Sequence, residues 1–141
     1  MAKYNINVIK NKEAAYRSLI NPDVISDLKL KILDLIYKKK KYRDSSYSAR
    51  KLAEELGTNT RYISAAVNVC FGMNYTSFVN KYRIEYAKSL LTDKRYAKLK
   101  MEEISDMVGF SNRQSFYASF YKFTAGSPRK YKIEHYTRVE N

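Results

Sequence analysis

Arg61, Ser64, Ala65 and Asn68 recur at i, i+3, i+4 and i+7, so on a helix they share one side, opposite Ile63, Ala66 and Val67. Arg113, Gln114, Tyr117 and Ala118 stand in the same way opposite Phe116 and Phe120, with Asn112 directly before them. Arginine can bridge guanine O6 and N7, asparagine or glutamine can pair with adenine N6 and N7, and an alanine methyl can pack on a thymine methyl. Those residue types suit a DNA major groove. Each also has a plainer use: Arg61 and Arg113 as solvated arginines, Gln114 as the capping partner of Ser111, Asn68 and Asn112 as groups that touch only phosphate or water. Tyr62 and Tyr117 can pack partly into a core, and Tyr117 is the better groove candidate of the two.

A second set of side chains would hold phosphates, which positions a protein on DNA without reading sequence. Arg50 and Lys51 form one group; Lys122, Arg129 and Lys130 form the other. Helix starts at Ser48 and Ser111 would add backbone N–H donors. The formal net charge of +13 draws the chain toward polyanions: nucleic acid, acidic headgroups or acidic proteins. Lysine, asparagine, isoleucine and tyrosine are also what A/T-rich codons encode, so charge alone decides nothing further.

The elements that must position these side chains read as helices. Four glycines and two prolines in 141 residues leave too few turns for an all-β chain. Residues 1–20 are the least regular: Asn5 to Ile9 alternates like a short strand or an extended tail, and Lys12 to Leu19 would fit one or two helical turns. Asn21-Pro22-Asp23 opens a helix, with a good N-cap, a proline tolerated at the first position and an acid at the positive end. Ile25, Leu28, Ile32 and Ile36 follow at helical spacing, and Lys38 to Lys41 suit the negative end. Ser48 caps the next helix, with Tyr47 and Leu52 at the spacing of a hydrophobic staple. Ala49, Leu52, Ala53 and Leu56 give its apolar face, and Gly57 ends it. Asn59 caps a third helix burying Ile63, Ala66, Val67 and Cys70 up to Gly72. A long helix spans 75–91, burying Phe78, Tyr82, Ala87, Leu90 and Leu91.

The pattern then repeats. Met101, Ile104, Met107 and Val108 make a short helix closed by Gly109. Ser111, with Gln114 three residues on, opens another that buries Phe116, Phe120 and Phe123 before Gly126-Ser-Pro128 breaks it. Leu52 corresponds to Ile104, Ala53 to Ser105, Leu56 to Val108 and Gly57 to Gly109, all at one offset. An apolar pair, a glycine turn and a capped second helix is how helix-turn-helix units are built.

The stretch from Asp106 to Tyr131 resembles the C-terminal signature of the AraC/XylS transcription regulators, through Gly109-Phe110, Phe116, Phe120, Gly126, Pro128 and Tyr131. Lys81 to Leu91 is similar to that family's central helix at Arg83, Ala87 and Leu90-Leu91, and Lys51 to Ser64 to its first helix-turn-helix. The likeness covers roughly residues 27 to 132. It implies a homeodomain-like, all-α domain of seven helices, in which a long central helix joins two helix-turn-helix subdomains on one face. Each subdomain offers its second helix to DNA, and the two enter successive major grooves. Ala65 and Ala118 stand where relatives often have arginine, Ser105 where they have alanine and Val67 where they have phenylalanine. Base contacts therefore do not transfer wholesale.

The expected organisation is an N-terminal tail over 1–22, an AraC-type DNA-binding domain over 23–132 and a C-terminal tail over 133–141. Within the domain the first helix-turn-helix covers about 48–71, the linker helix about 75–91 and the second helix-turn-helix about 100–124. The expected function is sequence-specific regulation of transcription at promoter DNA. Double-stranded DNA is the expected partner, RNA polymerase is a further candidate, and the oligomeric state is open. Two alternatives stand beside it: an architectural accessory factor, for instance in recombination, and a protein-binding module.

An enzyme is hard to assemble from these residues. His135 is the one histidine and lies near the terminus, and Glu54, Glu55, Glu102 and Glu103 read as solvated helix residues. With neither a histidine pair nor a cysteine cluster, no metal is expected, and no glycine-rich phosphate loop or other cofactor motif occurs. Cys70 is the sole cysteine, so no intrachain disulfide can form, and its setting suits a small buried side chain rather than a reactive thiol. No run is apolar enough to span a membrane and the N-terminus lacks an apolar signal core, so a cytoplasmic protein is expected.

Overall fold

A computed structural model describes residues 21–140, so the expectations for Asn5 to Ile9, Lys12 to Leu19 and nearly all of the 1–22 tail lie outside the described residues. The described residues form seven α-helices and no strand. They are α1 (Pro22–Leu33), α2 (Ala49–Leu56), α3 (Thr60–Phe71), α4 (Tyr75–Leu91), α5 (Met101–Val108), α6 (Arg113–Thr124) and α7 (Pro128–Glu140). The stretch 133–140, expected as a tail, continues α7 instead. Ile133 and Val139 on it are exposed, so it lacks the apolar stripe by which a helix is read from sequence.

The chain divides into two compact units. The first holds α1, α2, α3 and the start of α4 as far as Phe78. Asn21 Oδ1 accepts from the Asp23 N–H at 2.7 Å, which caps α1 as its sequence requires. Beyond Leu33 the helix widens into a π turn over Asp34–Lys38 that still buries Leu35 and Ile36. Packing of α1 and α2 against α3 encloses Ile32, Ile36, Leu52, Ile63, Ala66 and Val67. Burying each large aliphatic side chain is worth roughly 1.5–3 kcal/mol. Phe71 stacks on Phe78 with ring centroids 4.4 Å apart. The Tyr75 hydroxyl donates to the Tyr47 carbonyl at 2.7 Å and the Tyr47 hydroxyl to Glu55 Oε1 at 2.9 Å, which anchors the approach to α2.

The second unit comprises the segment Lys40–Ser46, α4 from Val79 onward, and α5 to α7. Ile84, Ala87, Leu90 and Leu91 of α4 close on Ile104, Val108, Phe110, Phe116 and Phe120. Tyr82, expected in the core, is half-buried with its ring centroid 6.1 Å from that of Tyr42. Arg83 is buried, and three hydrogen bonds hold its guanidinium. Nε donates to the Tyr42 carbonyl at 2.6 Å, Nη2 to the Asp44 carbonyl at 3.1 Å and Nη1 to Asn80 Oδ1 at 2.8 Å. Three fixed acceptors offset the cost of desolvating the charge and tie the 40–46 segment to α4. The same segment presses on Gly109, where φ is +110°. A Cβ there would run into the Tyr42 carbonyl oxygen and lie 2.9 Å from Arg43 Cα.

Candidate nucleic-acid interface

Both helix-turn-helix units follow one local design. Ser48 Oγ accepts from the Lys51 N–H at 3.2 Å to start α2, and Gly57, at φ +67°, stops it. Asn59 Oδ1 then accepts from the Tyr62 N–H at 3.0 Å to start α3. In the second unit Lys100 donates its N–H to Glu103 Oε1 at 3.0 Å at the head of α5, and Gly109 turns the chain. The cap of α6 is Asn112, whose Oδ1 accepts from the Ser115 N–H at 2.8 Å. Ser111 was the expected cap, paired with Gln114. Asn112 takes the role because its extended backbone, φ −155° and ψ 161°, aims the side chain at the N–H three residues on. Gln114 consequently sits exposed at the second helical position and belongs to no capping box.

On α6 the base-contact candidates come together. Phe116 and Phe120 are fully buried and root the helix, while Arg113, Gln114, Tyr117 and Ala118 are exposed on its first two turns. Arg113 lies with its guanidinium carbon 5.9 Å from the Tyr117 ring centroid, close enough for a weak cation–π attraction to bias its rotamer. Asn112 is exposed, but its Oδ1 is committed to the cap and its carbonyl accepts from Ser105 Oγ at 3.3 Å. Tyr121, one turn past Tyr117, is 65 % exposed and stood outside the expected set. Its spacing of four from Tyr117, off the Phe116–Phe120 axis, was the signal available for it.

On α3 the set is only partly assembled. Arg61 is exposed, Ser64 and Asn68 are half-buried, and Asn68 Nδ2 donates to the Ser64 carbonyl at 3.1 Å. Ala65 does not face solvent as the sequence suggested: it is 1 % exposed. The N-terminal turn of α1 lays Ile25 over it, with Val69 and Cys70 packed around the pair. The same cover accounts for Cys70, which was expected on the core face and is half-buried beside Ala65.

The candidate phosphate ligands lie in the terminal turns of α2, α6 and α7. Arg50 and Lys51 lie in the first turn of α2, and Arg50 meets Glu54 at 3.4 Å in an exposed pair of small energetic weight. Lys122 lies in the last turn of α6 with Nζ 5.6 Å from the Phe123 ring centroid. Arg129 and Lys130 lie in the first turn of α7, and Lys130 stands 3.9 Å from Glu134. Hydrogen bonds from the side chain and backbone N–H of Arg95 hold the Asp93 carboxyl below its usual pKa. That exposed pair shapes the turn Lys94–Tyr96. Among the described residues no His, Cys, Asp and Glu cluster could hold a metal, and no helix is long and apolar enough to cross a membrane.

Two compact helical units, each presenting a capped second helix after a glycine turn, define a helix-turn-helix protein of the DNA-binding class. A family described as a helix-turn-helix domain matches residues 52–133. An HTH-type transcriptional regulator of Staphylococcus aureus strain MSSA476, described as uncharacterized, is 31 % identical over 94 residues, which is 67 % of this chain and 12 % of that protein. YtdP of Bacillus subtilis, described in the same terms, is 27 % identical over 89 residues, 63 % of this chain and 11 % of its own length. The chain thus spans only 12 % of the curated relatives it first matches. Among solved structures, the C-terminal domain of the two-component response regulator yesN from Fusobacterium nucleatum aligns with a TM-score of 0.62 and 28 % identity, over 76 % of this chain and 96 % of that one. The C-terminal domain of AraT, a response regulator from Geobacillus stearothermophilus, shares the fold at a TM-score of 0.65 and 24 % identity, over 81 % of this chain and 86 % of that one. The chain belongs to the AraC/XylS family of helix-turn-helix transcription regulators, a non-enzymatic class of DNA-binding proteins.

Proposed function

We propose that the chain recognises promoter DNA by sequence, offering α3 and α6 to successive major grooves, and so regulates transcription. The observation that carries this reading is the exposed face of α6. Arg113, Gln114, Tyr117 and Ala118 share it, held by two fully buried phenylalanines, so these groups are oriented before DNA arrives. Arg113 supplies a fork for guanine and Gln114 an amide for adenine. Arg61 and Ser64 are the corresponding groups of α3. Around them Arg50, Lys51, Lys122, Arg129 and Lys130 hold phosphates and set register. Such a protein works where the chromosome is, in the cytoplasm.

Selection from a randomised duplex library, followed by titration of the enriched site against scrambled DNA at two salt concentrations, tests the reading. The expected result is a site with two short blocks about one helical turn apart, bound with a steep salt dependence. Binding without enrichment, lost uniformly as salt rises, would replace sequence reading with an architectural role.

A further inference from the structure

We infer that the two helices read DNA unequally, with base discrimination concentrated in α6 and extended by Tyr121, and with α3 serving mainly to hold the backbone. The inference rests on the major-groove reading and assigns its specificity to one side. On α3 the exposed residues are Thr60, Arg61 and, at 36 %, Tyr62, all in the first turn. Past that turn Ser64 and Asn68 are half-buried and bonded to each other, and Ala65 is closed off by Ile25. A helix whose outward face ends after one turn can bring one or two side chains to base edges, and no more.

On α6 exposure continues through the last turn, at Arg113, Gln114, Tyr117, Ala118, Tyr121 and Lys122. Arg113, Tyr117 and Tyr121 step by four, so each lies about 40° further round the helix and about 6 Å further along it. The stripe slants from the N-terminal end, where a recognition helix meets base edges, toward the groove wall. Arg113 and Tyr121 are separated by about 12 Å of helix rise, a reach of about three to four base pairs along the groove. Arg113 calls for guanine, and the two tyrosine rings present apolar edges suited to thymine methyl groups. The block read by α6 is accordingly a guanine followed by thymine-rich sequence.

The test is a base-pair substitution scan of the selected site with the full 141-residue chain and with Arg113→Ala, Arg113→Lys, Tyr121→Ala and Arg61→Ala. All three positions are exposed, and helical circular dichroism checks that each variant folds. In one block substitutions should cost about tenfold or more, and in the other less than about threefold. Arg113→Ala and Arg113→Lys should both flatten the guanine preference, since lysine keeps the charge and loses the fork. Tyr121→Ala should flatten the thymine preferences, while replacing thymine by uracil in those pairs should weaken the unsubstituted chain. Arg61→Ala should flatten preferences at no more than one or two base pairs of the other block, each by less than about threefold, and otherwise weaken all sequences alike. Two blocks of equal weight, with Arg61→Ala flattening one as steeply as Arg113→Ala flattens the other, would overturn the inference and leave two-groove recognition standing. Absence of any base preference would instead overturn the recognition itself.

Discussion

Ala65 and Ala118 occupy the same position of the two repeated helices, each two residues after the first buried anchor, yet Ala65 is 1 % exposed and Ala118 faces solvent. The difference comes from Ile25, which caps the outer side of α3. One repeat position is thereby structural in the first unit and available to DNA in the second.

Substitution with arginine separates the two roles. Ala65→Arg must push a charged side chain into closed space, with an expected loss of about 2–4 kcal/mol in urea unfolding. Ala118→Arg should leave stability within about 0.5 kcal/mol and tighten binding to random DNA, with a salt slope steeper by about 1. Equal stability for both variants would mean that Ala65 is not covered in solution.

Asn112→Ala should cost about 1 kcal/mol of stability and Asn112→Ser only a few tenths, because serine restores the cap of α6. Base preferences should be unchanged by Asn112→Ser. Altered preferences at one base pair would instead assign Asn112 to the groove.

Gly109→Ala and Gly57→Ala start from positive φ angles of +110° and +67°. Alanine at Gly57 has open space and should cost about 1–2 kcal/mol for its left-handed backbone alone. At Gly109 the collision with Tyr42 and Arg43 adds to backbone strain, so the loss should exceed about 3 kcal/mol. Thermal unfolding of the two variants in parallel checks the order.

Arg83→Met keeps a long apolar stem and removes three donors, which strands the buried carbonyl of Tyr42 and the part-buried one of Asp44. The expected loss is about 2–4 kcal/mol. Arg83→Lys should recover little of it, because one ammonium cannot reproduce the guanidinium fork. DNA affinity should fall only through the reduced folded fraction and recover at lower temperature.

Much of this fold can be read from spacing. Ile63 and Val67, then Phe116 and Phe120, mark the buried axes of α3 and α6, and glycines at 57, 72 and 109 stop the helices before them. With Phe116 and Phe120 fixed, the outward set Arg113, Gln114, Tyr117 and Ala118 follows from helical geometry. Ala65 was not legible, because a small apolar side chain fits a covered or an open face equally, and its cover comes from a residue 40 positions earlier. Asn112 and Ser111 are adjacent good caps, so chemistry alone could not choose between them. Ala125 ends α6 in the left-handed region at φ +61°, one residue before the Gly126 from which the break is read. Beyond Tyr131, α7 exposes Ile133 and Val139 and gave no apolar periodicity to follow.

Methylation interference on the selected duplex tests the central claim most directly. Methyl groups at guanine N7 stand in the major groove, and those at adenine N3 stand in the minor groove. Interference should fall on guanine N7 in the block read by α6, should vanish there for Arg113→Ala, and should spare adenine N3. Interference confined to adenine N3, or none at any N7, would contradict recognition through the major groove.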